Sequence, residues 1–188
     1  MLLDEYVPRF DLREIHSVPT RASSQMVFQS LQTITPADLP LVRILMGIRS
    51  LPAFLSGGTP FHSTRHIPFL DQIIGSGFLF LGRTDHEILL GTIGKFWRPS
   101  GGVCLDILAP EEFKNFNEPG WAKVGWNFTV EGDGNNCRIR TETRILCTDE
   151  SARIMFRFYW WFVHPGSAMI RKSILRAIRQ RAEQASKP

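Results

Sequence analysis

Glu14 and His16 are the two side chains whose types and spacing are best suited to chemistry. They lie in the segment 10–20, whose alternation of residue types predicts a β-strand. Residues two apart on a strand lie on the same face, so both side chains can reach one cavity. A buried carboxylate beside an imidazole can do acid–base work or bind the polar group of a ligand. The alternative, which we favour, is a hydrogen-bonded and inert pair at the sheet edge.

Sequence signatures of catalysis and metal binding are mostly missing. His62 and His66 have the spacing of a helical metal site, with Asp71 nearby. Gly and Pro residues around them predict a loop without a fixed third ligand. The segment Gly132-Asp133-Gly134 lacks the later glycine and the strand-to-helix context of a dinucleotide-binding loop. We therefore predict no metal and no cofactor, and we assign no catalytic residue.

Charged residues alternate with small and apolar ones in the predicted strand 138–147. The alternation predicts a solvated row of charged side chains on the convex face of the sheet, formed by Arg138, Arg140, Glu142 and Arg144. With the opposite parity, Glu142 and Arg144 would face the cavity, and Arg144 could bind a carboxylate. Small and apolar side chains on the other face favour the solvated row.

Large aromatic residues recur on one face of two other segments. Trp126 and Phe128 share a face of the clearly alternating segment 121–131, which predicts a strand. The segment 153–163 fits either a strand or a helix, and its aromatic content favours the strand. On a curved sheet these side chains would line a cavity as well as form the core. We expect a largely apolar pocket lined by Trp126, Phe128 and Trp160, with Glu14 or His16 as its main polar feature.

The remaining patterns predict the elements that position these residues. Helices are expected over 23–33 and from Thr35 to about Leu51, followed by a loop over 56–65 and a short helix over 68–74. Further strands are expected over 78–82, 87–97 and 103–108. His164-Pro165-Gly166 is expected to break the pattern before an amphipathic helix over 167–184. Runs of strands with the helices segregated between or after them indicate an α+β fold.

Composition and length limit the classes of protein to which this chain can belong. The chain has 188 residues, is 43% hydrophobic and 21% charged, and shows no linker, which predicts one globular domain over 1–188. The first five residues include Asp4 and Glu5 where a signal peptide would have basic residues. The longest wholly apolar run, 158–163, is far shorter than the roughly 20 residues of a membrane span. We therefore expect a cytoplasmic protein with no integral membrane segment, whose three cysteines are reduced.

Three stretches carry a resemblance to a known family. They are 18–28, the sequence Thr141-Glu142-Thr143-Arg144, and Tyr159-Trp160-Trp161 followed by Pro165-Gly166-Ser167 and a basic helix. With the element order, they resemble the START-like, or SRPBCC, superfamily of polyketide cyclases and birch-pollen-allergen proteins, in an uncharacterised bacterial branch. The resemblance covers about residues 9–184. It implies a helix-grip fold, in which a curved antiparallel sheet of about seven strands surrounds a long C-terminal helix, with two helices after the first strand.

The resemblance also implies a cavity between the sheet and the last helix for a small apolar or amphipathic molecule. Our first hypothesis is therefore a ligand-binding module without nucleic-acid partners. The second is a cyclase- or hydratase-like enzyme that uses Glu14 and His16. The third is binding to a membrane surface or a protein partner through the basic C-terminal helix, which requires an exposed apolar stripe where the fold predicts a buried one.

Overall fold

An antiparallel β-sheet lies at the centre of the structure, a computed structural model that describes residues 1–41, 67–98, 102–103, 109–132 and 137–186. Its strands are β1 (Leu12–Thr20), β2 (Leu79–Arg83), β3 (Glu87–Lys95), β4 (Gly102–Val103), β5 (Ala122–Glu131) and β6 (Cys137–Cys147). Five of them follow the order β1-β6-β5-β3-β2, and the two-residue β4 pairs with the end of β3. Within the described residues, the continuous sheet thus has five strands rather than the predicted seven. Most of the strand expected over 103–108 lies outside these residues.

The helices are α1 (Leu2–Tyr6), α2 (Ser24–Thr33), α3 (Phe69–Gly75), α4 (Pro110–Asn115) and α5 (Glu150–Ala185). The predicted start of α2 is confirmed, because the Ser23 hydroxyl accepts a hydrogen bond from the Met26 amide. Thr35 introduces a 3-10 turn, Pro36–Asp38, in which the Asp38 carboxylate accepts from the Thr35 amide at 2.8 Å. The rest of the predicted second helix and the loop over 56–65 lie outside the described residues. None of the helices within these ranges has the length and apolar content to cross a membrane.

The strand predicted over 153–163 is wrong, because this segment belongs to α5, a helix of 36 residues. Asp149 caps its start by accepting a hydrogen bond from the Ala152 amide at 2.7 Å. Ala152 and Phe156 are buried whereas Ile154, two residues from each, is 49% exposed, which is helical rather than strand spacing. Packing therefore overrides the β-propensity of the aromatic residues.

The break predicted at His164-Pro165-Gly166 is also wrong, since α5 continues through it. Pro165 has no N–H to donate to the Trp161 carbonyl, a defect that costs roughly 3 kcal/mol inside a helix. The helix persists because packing anchors it on both sides, through Phe156 before the proline and through Ile174 and Ile178 after it.

Both faces of the sheet are covered. On the inner face, β5 and β6 pack against α2 and the C-terminal half of α5, where Ile174 and Ile178 are fully buried. On the outer face, Leu3 of α1 and Phe113 of α4 pack against Leu89. Gly125 permits the close approach of α1, because a Cβ there would lie 2.8 Å from the Leu3 side chain. An α+β fold with an antiparallel sheet and a long C-terminal helix is thus confirmed, whereas the helix-grip assignment stays a prediction.

Candidate functional site

Strand pairing places four of the predicted site residues on the inner face of the sheet. Glu14 of β1 lies opposite Thr143 of β6, which in turn lies opposite Trp126 of β5. His16, Thr141 and Phe128 form the next such row, two residues along each strand. Alternation along the strands directs all these side chains towards α5.

The Glu14 carboxylate is buried and has four neighbours that can donate a hydrogen. Its Oε1 lies 2.7 Å from Nε2 of His16 and 3.7 Å from Nε2 of His164. Its Oε2 accepts a hydrogen bond from the Ser167 hydroxyl at 3.3 Å and lies 3.6 Å from Nε of Arg171. One carboxylate thus joins β1 to two successive turns of α5, and it can hold the His16 imidazole in one orientation.

The Arg171 guanidinium lies between α5 and the sheet. Its Nε and Nη2 donate to the Thr143 hydroxyl at 3.0 and 2.7 Å, and its Nη1 donates to the Ser167 hydroxyl at 3.0 Å. Its central carbon lies 4.9 Å from the centre of a Trp126 ring, a cation–π distance. Burial lowers the pKa of Arg171, and the charge of Glu14 opposes that effect. We call Glu14, His16, Thr143, Ser167 and Arg171 the inner cluster.

Trp126 and Phe128 belong to the hydrophobic core that the inner cluster adjoins. Their rings are 5.0 Å apart, and the Trp126 indole donates to the Thr141 hydroxyl at 2.7 Å. Trp160 lies in a different hydrophobic cluster, where it stacks on Phe156 with ring centres 5.8 Å apart. The structure therefore brings Glu14, His16, Trp126 and Phe128 together. Trp160 lies at the edge of this group, with its ring 5.3 Å from that of His164, which in turn lies 3.7 Å from Glu14.

Glu142 and Arg144 face away from α5, as the preferred parity predicted, but they are not solvated. Their exposed fractions are 0% and 6%. The Glu142 carboxylate accepts from Arg13 at 2.8 and 3.0 Å, from Arg140 at 2.7 Å and from Arg144 at 2.7 Å. Arg144 also binds Asp4 at 2.7 Å and the Val7 carbonyl at 3.1 Å. The prediction of a solvated row holds for Arg138, which is exposed, and is wrong for Glu142 and Arg144. Three arginines surround the Glu142 carboxylate, while Asp4 and Val7 cover Arg144.

We call this second group of charged residues the outer cluster: Asp4, Arg13, Arg140, Glu142 and Arg144. Burial alone would raise the pKa of Glu142, but hydrogen bonds from Arg13, Arg144 and Arg140 outweigh it and lower the pKa to about 2. Sequence reasoning missed the outer cluster because it assigned no helix to the first residues. The pair Asp4-Glu5 between the apolar residues Leu2, Leu3 and Val7 was the available signal.

A cleft of about 350 Å³ opens on the inner face at the side of the sheet formed by β2 and β3, and none of the five predicted site residues lines it. Its floor is formed by Ile88 and Leu90 of β3, which lie directly opposite Phe128 and Trp126 of β5. Its other lining residues come from α2, α3 and β2, and they are Gln32, Leu70, Asp71, Ile74, Phe80 and Arg83. Sequence reasoning did not find it, because its walls come from elements far apart in the chain.

A more open groove of about 540 Å³ lies beside the start of α1, and Glu87 is among its lining residues. The Glu87 carboxylate already binds the Leu2 amide at 2.6 Å, the Leu3 amide at 3.2 Å and the Asn127 side chain at 2.7 Å. Leu2 and Glu5 of α1 therefore form one wall of this groove, and its Glu87 carboxylate is already engaged.

Candidate metal ligands do not gather in the part of the chain that the structure describes, where no three His, Cys, Asp or Glu residues could hold an ion together. His62 and His66 lie outside that part. Cys147 is no activated nucleophile, because burial raises the pKa of its thiol to about 12.

Comparison with known proteins adds little to this geometry. No protein-family model matches the chain, and neither does any curated protein. Among solved structures, TTHA0849 from Thermus thermophilus is similar at a TM-score of 0.36 and 10% sequence identity, over 94% of this chain and 100% of that one. A similarity at that level supports no functional argument, so the resemblance to the START-like superfamily stays a prediction.

Proposed function

We propose that this protein binds a small amphipathic molecule on the inner face of its sheet, in the cleft above Ile88 and Leu90. The observation that carries the proposal is the cleft itself, whose volume of about 350 Å³ falls within the range of small-molecule sites. Its composition fits as well, since apolar side chains form its floor and a few polar groups stand at its edge.

Exposed apolar side chains at the cleft supply a driving force for binding. Ile74 and Phe80 retain 37% and 44% of their accessible surface, although both line a concave site. A ligand that covered them would remove apolar surface from water, at roughly 25 cal/mol per Å².

The polar group of the ligand is expected to be anionic. Arg83 is exposed at the edge of the cleft, and its guanidinium carbon lies 5.8 Å from the centre of the Phe28 ring. A guanidinium binds carboxylate and phosphate groups with two parallel hydrogen bonds, which favours an anionic head group there. Asp71 at the same cleft would repel a second negative charge, which favours a ligand with one.

The inner cluster lies next to the strand that borders the cleft and helps to fix the position of that strand. Its contacts fasten α5 to β1 and β6, and Arg171 packs on Trp126, the neighbour of the Leu90 floor residue. The cyclase- or hydratase-like hypothesis would use Glu14 and His16 as an acid–base pair. Ser167 and Arg171 also engage the Glu14 carboxylate, so we propose a structural role for the pair instead.

The test combines native mass spectrometry of freshly purified protein with calorimetric titration of decanoate, a single-headed anionic amphiphile. We expect a co-purified small molecule, or decanoate binding that Ile74→Asp weakens by about tenfold or more, because the new carboxylate enters the apolar cleft. The matched control is Ile67→Asp, because Ile67 is 43% exposed and does not line the cleft. Absence of any bound molecule and of decanoate binding, or equal effects of the two variants, would refute the proposal.

A further inference from the structure

The outward side of α5 is apolar over its N-terminal half. Six large side chains there are at least 46% exposed, and three of them, Phe158, Trp161 and Phe162, are exposed by 69%, 74% and 73%. At 3.6 residues per turn the six occupy one side of the helix over about 22 Å. We call this surface the apolar face of α5, formed by Ile154, Met155, Phe158, Trp161, Phe162 and Met169.

This surface is separate from the one that holds α5 on the protein. Ala152 and Phe156, on the opposite side of the same turns, are buried against the sheet. Exposed apolar side chains scattered singly are ordinary on a protein surface, but a contiguous patch of this size indicates an interaction site. The third sequence hypothesis required an exposed stripe on the helix over 167–184, where Ile174 and Ile178 are instead fully buried. The apolar face lies mainly in 153–163, the segment that was favoured as a strand.

Positive charge accompanies the apolar face. Lys172 and Arg176 are exposed and continue the same side of the helix beyond Met169, and Arg157 is exposed at its edge. Within Glu150–Ala185 there are seven Lys and Arg residues and two Glu residues, a net charge of +5 against +4 for the whole chain. Arg153, Arg171 and Arg181 lie within ion-pair distance of Asp11, Glu14 and Asp38, so the positive charge beside the apolar face comes from Arg157, Lys172 and Arg176.

The combination favours a lipid surface over a second copy of the chain. Two copies that met through this face would bring two strongly positive helices together in a poorly screened interface. An anionic bilayer instead complements the Lys and Arg residues, while Trp and Phe side chains are suited to the boundary between head groups and acyl chains. We infer that the apolar face of α5 docks the folded protein on the surface of an anionic membrane, with α5 parallel to the bilayer plane.

The experiment is co-sedimentation of the full chain with vesicles of phosphatidylcholine alone and of phosphatidylcholine mixed with phosphatidylglycerol. We expect binding to the anionic vesicles that weakens as salt is added. Trp161→Ser combined with Phe162→Ser should reduce this binding by about tenfold or more, since two exposed aromatic side chains leave the contact. Lys172→Glu combined with Arg176→Glu should reduce binding to the anionic vesicles and leave any binding to phosphatidylcholine vesicles unchanged.

The control variant is Phe80→Ser, which alters an aromatic side chain of similar type that is 44% exposed in the cleft. Its binding to vesicles should equal that of the unmodified protein, so a loss would point to uptake of single lipids by the cleft and overturn the inference. Failure to bind anionic vesicles would overturn it too, as would equal binding to both kinds of vesicle. In that case the oligomeric state should be measured by light scattering after size exclusion. A dimer that Trp161→Ser combined with Phe162→Ser dissociates would assign the apolar face to a second copy of the chain.

Discussion

Two carboxylates on opposite faces of the same sheet are buried among cationic groups, and they are held very differently. Glu142 in the outer cluster receives four hydrogen bonds from three arginines, at 2.7 to 3.0 Å. Glu14 in the inner cluster has one close partner, His16, and its contact with Arg171 is 3.6 Å. The comparison indicates that the outer cluster is a fixed charge clamp, whereas the inner cluster is a polar contact between α5 and the sheet.

Removal of the Glu142 charge should have the largest effect. Glu142→Gln leaves Arg144 and its two arginine neighbours without their shared anion, so we expect a loss of about 3–5 kcal/mol in the free energy of unfolding. Denaturation in urea at neutral pH measures it. Glu131→Gln is the control, because Glu131 is exposed and makes a longer contact of 3.4 Å with Arg140. This variant should change the free energy of unfolding by less than about 1 kcal/mol. Equal losses of stability in the two variants would show that water can replace Glu142 as the hydrogen-bond partner of its arginines.

Acid should weaken the outer cluster in a defined range of pH. The pKa of Glu142 is about 2 in the folded protein, against 4.5 for the ordinary group. Because the folded value is the lower one, the stabilisation is complete above pH 4.5 and is lost as the pH falls towards 2. The linked change is about 3 kcal/mol. The free energy of unfolding, measured from pH 6 to 2, should decline in this way in the unmodified protein and change less with pH in Glu142→Gln. Parallel pH profiles would contradict a stabilising role for the Glu142 charge.

Neutralising Glu14 should have a smaller effect than neutralising Glu142. In Glu14→Gln the amide keeps an oxygen that can accept from Ser167, and only one arginine loses a carboxylate neighbour. We therefore expect a loss of about 1–3 kcal/mol in the same urea experiment. Glu118→Gln, at an exposed position, controls for the substitution itself. A loss as large as that of Glu142→Gln would mean that the two clusters are equivalent.

The smallest effect should come from Ser167, whose hydroxyl joins Arg171 to Glu14. Ser167→Ala should reduce stability by about 0.5–1.5 kcal/mol, the usual contribution of one hydrogen bond. Ser151→Ala changes an exposed serine of the same helix and should be close to neutral. If the two serine variants were indistinguishable, the hydroxyl would add nothing to the contact between α5 and β1.

Local patterns predicted the inner cluster better than the outer one. Alternation in β1, β5 and β6 placed Glu14, His16 and Trp126 on one face, because a strand has a strict two-residue period. Burial of Arg144 depends on Asp4 of α1 and on Val7, which contact it from more than 130 residues away, and no local pattern reveals such a cover. Trp160 was misplaced for a different reason: the aromatic run favours a strand, while the helix start at Asp149 and its burial spacing decide otherwise.

The docking of α1 also constrains the order in which the chain can assemble. Leu2 and Leu3 bind Glu87, Val7 binds Arg144, and β1 pairs with β6, so the N-terminal 20 residues find their partners 84 to 137 residues later in the chain. Translation makes β1 long before β6, so Leu12 and the rest of β1 must wait for their partner strand until β6 has left the ribosome. Leu3 can pack earlier, because its core neighbours Leu89 and Phe113 precede β6 in the chain. Addition of β1 to the edge of the sheet is therefore a long-range step, the kind of contact that slows folding.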